Sequence, residues 1–249
     1  MKTQEFYDET YVSPTYQKRR EDSLDSEIQF LLTYLPVANK NISIFDQCCG
    51  HGRHLESLYD NGYENLSGLD SNAYFISIAK QTLNKHVKLY TSDIFKFEMA
   101  QKTEFIINMG SAICGFTKEN LDKIFGLNSK TLQSGGIFII HEFNPFHFAK
   151  HVPRKTWIEV PSRGFIMEDW DIEFEKSSCN ISQIRMMVDS EGKYEGFKTN
   201  LTITLHSKIE ILNYGLKYGF KIKDVCGCFN GTPYDENTSK DMIFVFIKL

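Results

Sequence analysis

Apolar residues at Ile28, Leu31, Leu32 and Leu35 recur at helical spacing and stop before Pro36, which predicts a first helix behind a polar, aromatic lead-in arm. Short stretches of strand character follow at 42–45, 65–69, 86–90, 105–109 and 137–140, with amphipathic stretches between them. Helices are expected over 53–60, stopped by Asn61-Gly62, and over a stretch capped by Ser71 with Ala73, Ile76, Ala79 and Leu83 on one face. Another is expected over 117–132 through Leu121, Ile124 and Phe125. Apolar strands that alternate with helices imply an α/β fold whose parallel sheet is covered on both faces.

The alternation breaks between 144 and 205. Three stretches of strand character, 171–176, 179–188 and 197–205, are linked by the turn signals Ser177-Ser178 and Ser190-Glu191-Gly192, so an antiparallel insertion is expected. The core pattern resumes at Ser207-Lys208-Ile209-Glu210, a capping box opening a helix that runs through Tyr218 and ends at Gly219. Two closing strands, 221–229 and 241–248, flank the turn-rich 230–240. One domain over 1–249 is expected: arm and helix 1–36, core 37–143 and 206–249, insertion 144–205.

At 249 residues the chain is long enough for a sizeable single core and does not demand a second domain. Its formal charge of −4 argues against a general polyphosphate grip, so a nucleic-acid partner is not expected. No apolar run resembles a signal peptide or a membrane span, which predicts a cytoplasmic protein with no membrane partner. The six cysteines are scattered and read as reduced thiols. Cys226-Gly227-Cys228 lacks zinc-knuckle spacing, even with Cys48 and Cys49 in reach, so no metal is expected.

The segment 42–54 runs from an apolar strand through a glycine turn straight into a helix. Gly50 and Gly52 let main-chain N–H groups approach a ligand, and Asp46 stands just before them. Asp70 closes the next strand and Asp93 follows the third. Carboxylates at three successive strand ends point to an adenosine-containing ligand bound across the sheet. The third glycine of a dinucleotide fingerprint is absent, Leu55 standing in its place, and no phosphate-loop signature occurs.

Asp46-Gln47-Cys48-Cys49-Gly50-His51-Gly52-Arg53-His54 resembles the D-x-G-C-G-x-G-R-x motif of class I S-adenosylmethionine-dependent methyltransferases, with Cys48 in place of the first glycine. The resemblance extends over most of the chain and is nearest the small-molecule type. It implies a Rossmann-like, seven-stranded, mostly parallel sheet with an antiparallel last strand, plus a small antiparallel lid over the substrate. It implies S-adenosyl-L-methionine as cofactor: Asp46 meeting its amino group, Cys48, Gly50 and Gly52 packing the methionine and ribose portions, and Asp70 accepting the ribose hydroxyls beside Ser71. Asp93 would meet the adenine amine with Ile94 against the ring, and Asn108 and Met109 would line the sulfonium. Tyr11 and Arg20 are candidates from the arm for closing over the cofactor carboxylate.

Methyl transfer by in-line displacement needs alignment and exclusion of water, with a base where the acceptor carries a proton. His141, Glu142 and His147 are the candidates for that role, and Trp157, Trp170, Phe229 and Tyr234 for the pocket wall. The expected reaction is methylation of nitrogen or oxygen in a small metabolite, by a monomer or homodimer. A nucleic-acid or protein methyltransferase and a non-catalytic cofactor-binding module are the alternatives. Asn144-Pro145-Phe146 comes close to the N-P-P-[YF] signature of nucleobase and glutamine methyltransferases, but lacks the second proline and follows the fifth strand instead of the fourth.

Overall fold

The structure, a computed structural model, describes residues 23–160, 164–189 and 191–249. Helix α1 covers 23–32. It is followed by β1 (Ile44–Gln47), α2 (Arg53–Asp60), β2 (Leu66–Asp70), α3 (Ala73–Thr82), β3 (Lys88–Thr91), β4 (Thr103–Asn108), α4 (Lys118–Thr131) and β5 (Leu132–Phe143). Next come α5 (Pro145–His151) and four strands, β6 (Lys155–Val160), β7 (Gly164–Glu173), β8 (Ser178–Val188) and β9 (Tyr194–Thr204). The chain closes with α6 (Lys208–Lys217), β10 (Phe220–Cys226) and β11 (Asp241–Lys248).

Seven strands form one sheet in the order β10-β11-β5-β4-β1-β2-β3, and β11 runs antiparallel to both of its neighbours. The apolar runs are continuous because both faces are covered. On one face Ile44, Ile107 and Ile139 pack with Leu31 of α1, Leu55 of α2 and Ile76 of α3. On the other, Phe45, Ile106, Phe138 and Ile140 meet Leu121 and Phe125 of α4 and Ile211 of α6. Successive residues of one strand thus enter opposite cores. The strand order reverses at β1, which lies between β4 and β2, so the crevice beyond its carboxyl end is where an α/β sheet accepts a ligand.

Several elements differ from the sequence expectation. The cap of α3 is Asn72, whose Oδ1 accepts from the N–H groups of Tyr74 and Phe75; Ser71 lies one residue too early to reach that turn. Strand β5 extends well beyond 137–140, because pairing with β11 continues to Asp241 opposite Phe143. The insertion has four strands in the order β6-β7-β8-β9, not three. Its edge strand β6 was hidden by Lys155 and Glu159, β7 begins at Gly164 instead of 171, and 174–176 is a single 3₁₀ turn. Ser177 makes the expected hairpin with φ +49°; Ser190 lies outside the described residues. Helix α5 was not expected, although Asn144 caps it and Pro145 occupies its first turn.

The insertion sheet sits on the core through an apolar cluster: Ile172, Cys179, Ile181 and Ile203 pack against Cys114, Phe143 and Phe148. His206, just past β9, adds a polar link, its Nε2 donating to the carbonyls of Ile113 (3.2 Å) and Phe116 (3.0 Å). This fastening sets the insertion sheet beside the carboxyl ends of β4 and β5.

Candidate active site

Between β1 and α2 the chain makes three left-handed residues, Cys48 (φ +58°), Gly50 (φ +56°) and Gly52 (φ +84°). Glycine is required at 52 twice over, since a Cβ there would also stand 2.6 Å from Leu83 Cδ1. Cys48 adopts the angle that the usual glycine supplies, at a cost of about 1–2 kcal/mol for a residue with a Cβ. Burial, with the Asp70 and Asp46 carboxylates nearby, pushes its thiol well up, so it stays protonated and lines the turn as a small apolar group.

Asp70 braces the turn from the next strand. Its Oδ2 accepts the Gly50 N–H at 2.9 Å and its Oδ1 the Asn72 N–H at 2.8 Å, which leaves further lone pairs for a diol. Burial raises its pKa, while those amides and that of Ser71 oppose the rise. Asp93 lies beside it, Ser92 N–H donating to the Asp70 carbonyl. The Asp93 side chain is exposed and closes an Asx turn on Phe95 N–H, while Ile94 is buried in the core.

Asp46 is 1 % exposed and its Oδ2 has no hydrogen-bond partner. Burial pushes its carboxyl well above the usual range, against the pull of the Arg53 charge and with Asp70 adding to the rise. Arg53 is part of the 46–54 motif, but no role for it follows from the sequence, because its partner Glu27 lies on a separate helix. Its Nη2 is locked to Glu27 of α1 at 2.6 Å, while its buried Nη1 is unpartnered. His54 Nε2 meets the same Glu27 oxygen at 2.7 Å. Although Glu27 is buried, His54 and Arg53 bring its pKa down to about 2. A buried carboxyl and a buried guanidinium, each with an unsatisfied atom, thus flank the glycine turn without a hydrogen bond between them. Groups of this kind are costly unless a ligand completes them.

Asn108 ends β4 fully buried, beside the Cys48 thiol, with neither amide atom in hydrogen-bond geometry. Met109 is buried, and Gly110 (φ +71°) and Ser111 (φ +56°) then turn the chain. His141 and Glu142 of β5 fall on opposite faces of the sheet. His141 Nδ1 accepts the Gly110 N–H, and its ring lies 4.8 Å from Phe229. Glu142 is fully buried, which raises its pKa well above the usual value, and its Oε1 accepts the Phe143 N–H. His147 is on α5, stacked on His151 at 4.0 Å.

The proposed wall residues separate. Tyr234 donates its hydroxyl to Asn144 Oδ1, and burial pushes its pKa up to about 12. Trp170 faces inward, packed on Phe148 with Nε1 donating to Glu168. Trp157 is in register with Met167, three residues from Trp170 on β7, so the two tryptophans occupy opposite faces of the lid; Trp157 is 65 % exposed. Tyr11 and Arg20 lie outside the described residues.

Residues 44–136 match a family model described as a methyltransferase domain. Within these residues the chain resembles a methyltransferase domain, and its fold is that of the class I methyltransferases. Such domains draw their methyl group from S-adenosylmethionine, the donor that the 46–54 motif implies. Among solved structures, an S-adenosylmethionine-dependent methyltransferase from Clostridium acetobutylicum superposes with a TM-score of 0.78 at 17% identity, covering 92% of this chain and 94% of its own. The sugar N-methyltransferase KedS8 from Streptoalloteichus gives 0.73 at 15%, covering 94% and 91%. CalS10, an amino pentose methyltransferase from Micromonospora echinaspora solved with S-adenosylmethionine bound, gives 0.69 at 16%, covering 94% and 96%. No curated protein sequence matches. These likenesses show a shared fold over most of the chain. Among the described residues no helix is long and apolar enough to cross a membrane.

The unsatisfied atoms fit the donor's amino-acid end. An α-ammonium beside Asp46 and an α-carboxylate beside Arg53 would complete both buried groups, and a ribose diol suits the remaining lone pairs of Asp70.

Proposed function

We propose that this methyltransferase methylates nitrogen or oxygen of a small polar metabolite, with the amine of a sugar-like acceptor as the leading class. The observation that carries the reading is the pair of unsatisfied buried atoms, Asp46 Oδ2 and Arg53 Nη1, beside a left-handed glycine turn. Bound S-adenosylmethionine supplies an electrophilic methyl on a sulfonium. Asp46 holds its ammonium, Arg53 its carboxylate and Asp70 its ribose. Asp93 and Ile94 take the adenine, and Asn108 and Met109 border the sulfonium.

The amine-sugar class is supported by the fold shared with KedS8 and CalS10 and by the lid fastened over the ends of β4 and β5. Phe229, against His141, and Tyr234, bonded to Asn144, are assigned to two separate sides of the acceptor pocket. Burial and the neighbouring charge of His151 lower the His147 pKa, so its imidazole is neutral at pH 7 and is the base assigned to the acceptor proton. Glu142 suits a neutral, hydrogen-bonding role instead.

Calorimetry with S-adenosylmethionine, followed by S-adenosylhomocysteine release on an amino-sugar panel, tests the reading. Binding with turnover on at least one amino sugar is expected; binding without turnover on any amine or hydroxyl metabolite would overturn the catalytic assignment. Asp70→Ala is expected to weaken cofactor binding at least tenfold in folded protein, and an unchanged affinity would remove the ribose assignment.

A further inference from the structure

His141 has the residue type and strand-end position of a base, yet both of its ring nitrogens are already committed. The Gly110 main-chain N–H points at Nδ1 at 3.2 Å. A peptide N–H only donates, so Nδ1 must carry the lone pair and the proton must sit on Nε2. Nε2 in turn lies 3.3 Å from Asp241 Oδ1, a carboxylate placed on β11 to accept it. The ring is 9 % exposed along its side chain and is packed edge-on against Phe229. No lone pair remains to take a proton from an acceptor.

The bond lies at a turn that stores backbone strain. Gly110 and Ser111 are consecutive left-handed residues one residue past the end of β4, and Ser111 carries a Cβ that disfavours φ +56°. On the other side of Gly110, a Cβ would come within 3.8 Å of Arg53 Nη2. Gly110 is therefore gripped by β5 and bordered by the guanidinium anchored to Glu27. Because a peptide unit is planar, fixing the Gly110 N–H towards His141 turns the Met109 carbonyl to the opposite side. The Met109–Gly110 peptide follows Asn108 at the carboxyl end of β4, beside the sulfonium in the reading above.

We propose that His141 is a positioning residue: neutral, with its proton on Nε2, it clamps the Met109–Gly110 peptide and sets the wall that the methyl acceptor meets. This rests on the methyltransferase reading for its consequence, but not for its geometry. Two isosteric variants separate the roles. In His141→Asn the amide oxygen stands near Nδ1 and keeps an acceptor for Gly110; in His141→Gln the amide nitrogen stands near Nε2 and keeps only the donor to Asp241.

The test is amide hydrogen exchange at Gly110 in the full chain, wild type and both variants, together with ¹⁵N NMR of the wild-type imidazole. The expected results are a Nε2–H tautomer, wild-type protection of Gly110 retained within threefold in His141→Asn, and protection lost at least tenfold in His141→Gln. A Nδ1–H tautomer, or equal protection in all three proteins, would overturn the proposal. The wild-type tautomer decides the matter if a variant does not fold. Calorimetry with S-adenosylhomocysteine runs alongside: absent binding in wild type sinks the methyltransferase reading while the exchange result still judges the clamp.

Discussion

Cys48 shows how a single side chain departs from a motif without leaving its geometry. The residue adopts φ +58°, the angle that glycine normally provides there. Cys48→Gly and Cys48→Ala both delete the thiol, but only the first relieves the backbone. Cys48→Gly is therefore expected to be more stable than Cys48→Ala by about 1 kcal/mol in urea unfolding, and equal stabilities would show that the angle carries no strain. A second expectation concerns Glu27. Its folded pKa, about 2, lies below the unfolded value of about 4.3, so its stabilisation is fully present above the unfolded value and is lost as pH falls towards 2. Glu27→Ala should cost about 3 kcal/mol at pH 7, because it strands Arg53 and His54, and should flatten stability against pH over that acid window. The glycine turn, Asp46 and Asp70 were legible because their spacing is local. Glu27 was not, since nothing in the sequence says that α1 docks 27 residues away onto the helix carrying Arg53 and His54.

At the scale of elements, caps decide which local signals were readable. Ser207 and Glu210 form the full reciprocal capping box of α6, both partners lying within four residues. Asn144 shows the opposite case. Its Oδ1 accepts from Phe146 N–H and from the Tyr234 hydroxyl, and its Nδ2 donates to the carbonyls of Glu236 and Ser239, each at 2.8 Å. The Asn-Pro-Phe triplet is thus a helix cap and a fastening for the 230–240 loop, which the sequence could show only as a partial catalytic signature. Asn144→Asp keeps the cap but loses both Nδ2 donations. It is expected to retain α5 while raising hydrogen exchange at Ser239 and Asp241, whereas Asn144→Ala should cost about 2 kcal/mol and disturb both. Loop exchange unchanged in Asn144→Asp would show that Tyr234 and main-chain bonds hold the loop by themselves. The edge strand β6 and the full reach of β5 were illegible for a related reason: each is defined by its partner strand, and pairing partners lie outside any local window.

Among the described residues the two sheets share no strand pairing and are joined by an apolar cluster and by His206. The alternation of strands and helices announced the first sheet, and its interruption announced the second. The docking contact was not announced, because Ile113 and Phe116 are about 90 residues from His206. His206 is 0 % exposed, and burial lowers its pKa against the opposing effect of the two carbonyl bonds. The unfolded chain therefore takes up a proton near pH 6.5 that the folded one resists. Stability from this group is complete above pH 6.5 and is lost as pH falls through the lower folded value. His54, also lowered by burial, acts in the same direction. These two histidines should thus withdraw stability below pH 6.5, while the buried carboxyls of Asp46, Asp70 and Glu142, raised by burial, act in the opposite direction. His206→Gln retains an amide N–H near Nε2 for the same carbonyls but has no charge to gain. It is expected to keep the lid docked at pH 7.5 and to reduce the slope of unfolding free energy between pH 6.5 and 5, measured by urea titration at stepped pH. His206→Leu should lower stability by about 1–2 kcal/mol at pH 7.5, since two carbonyls lose their donor. If His206→Gln leaves the slope as steep as in the wild type, the acid sensitivity lies in His54, and the joint between the sheets is not where pH acts.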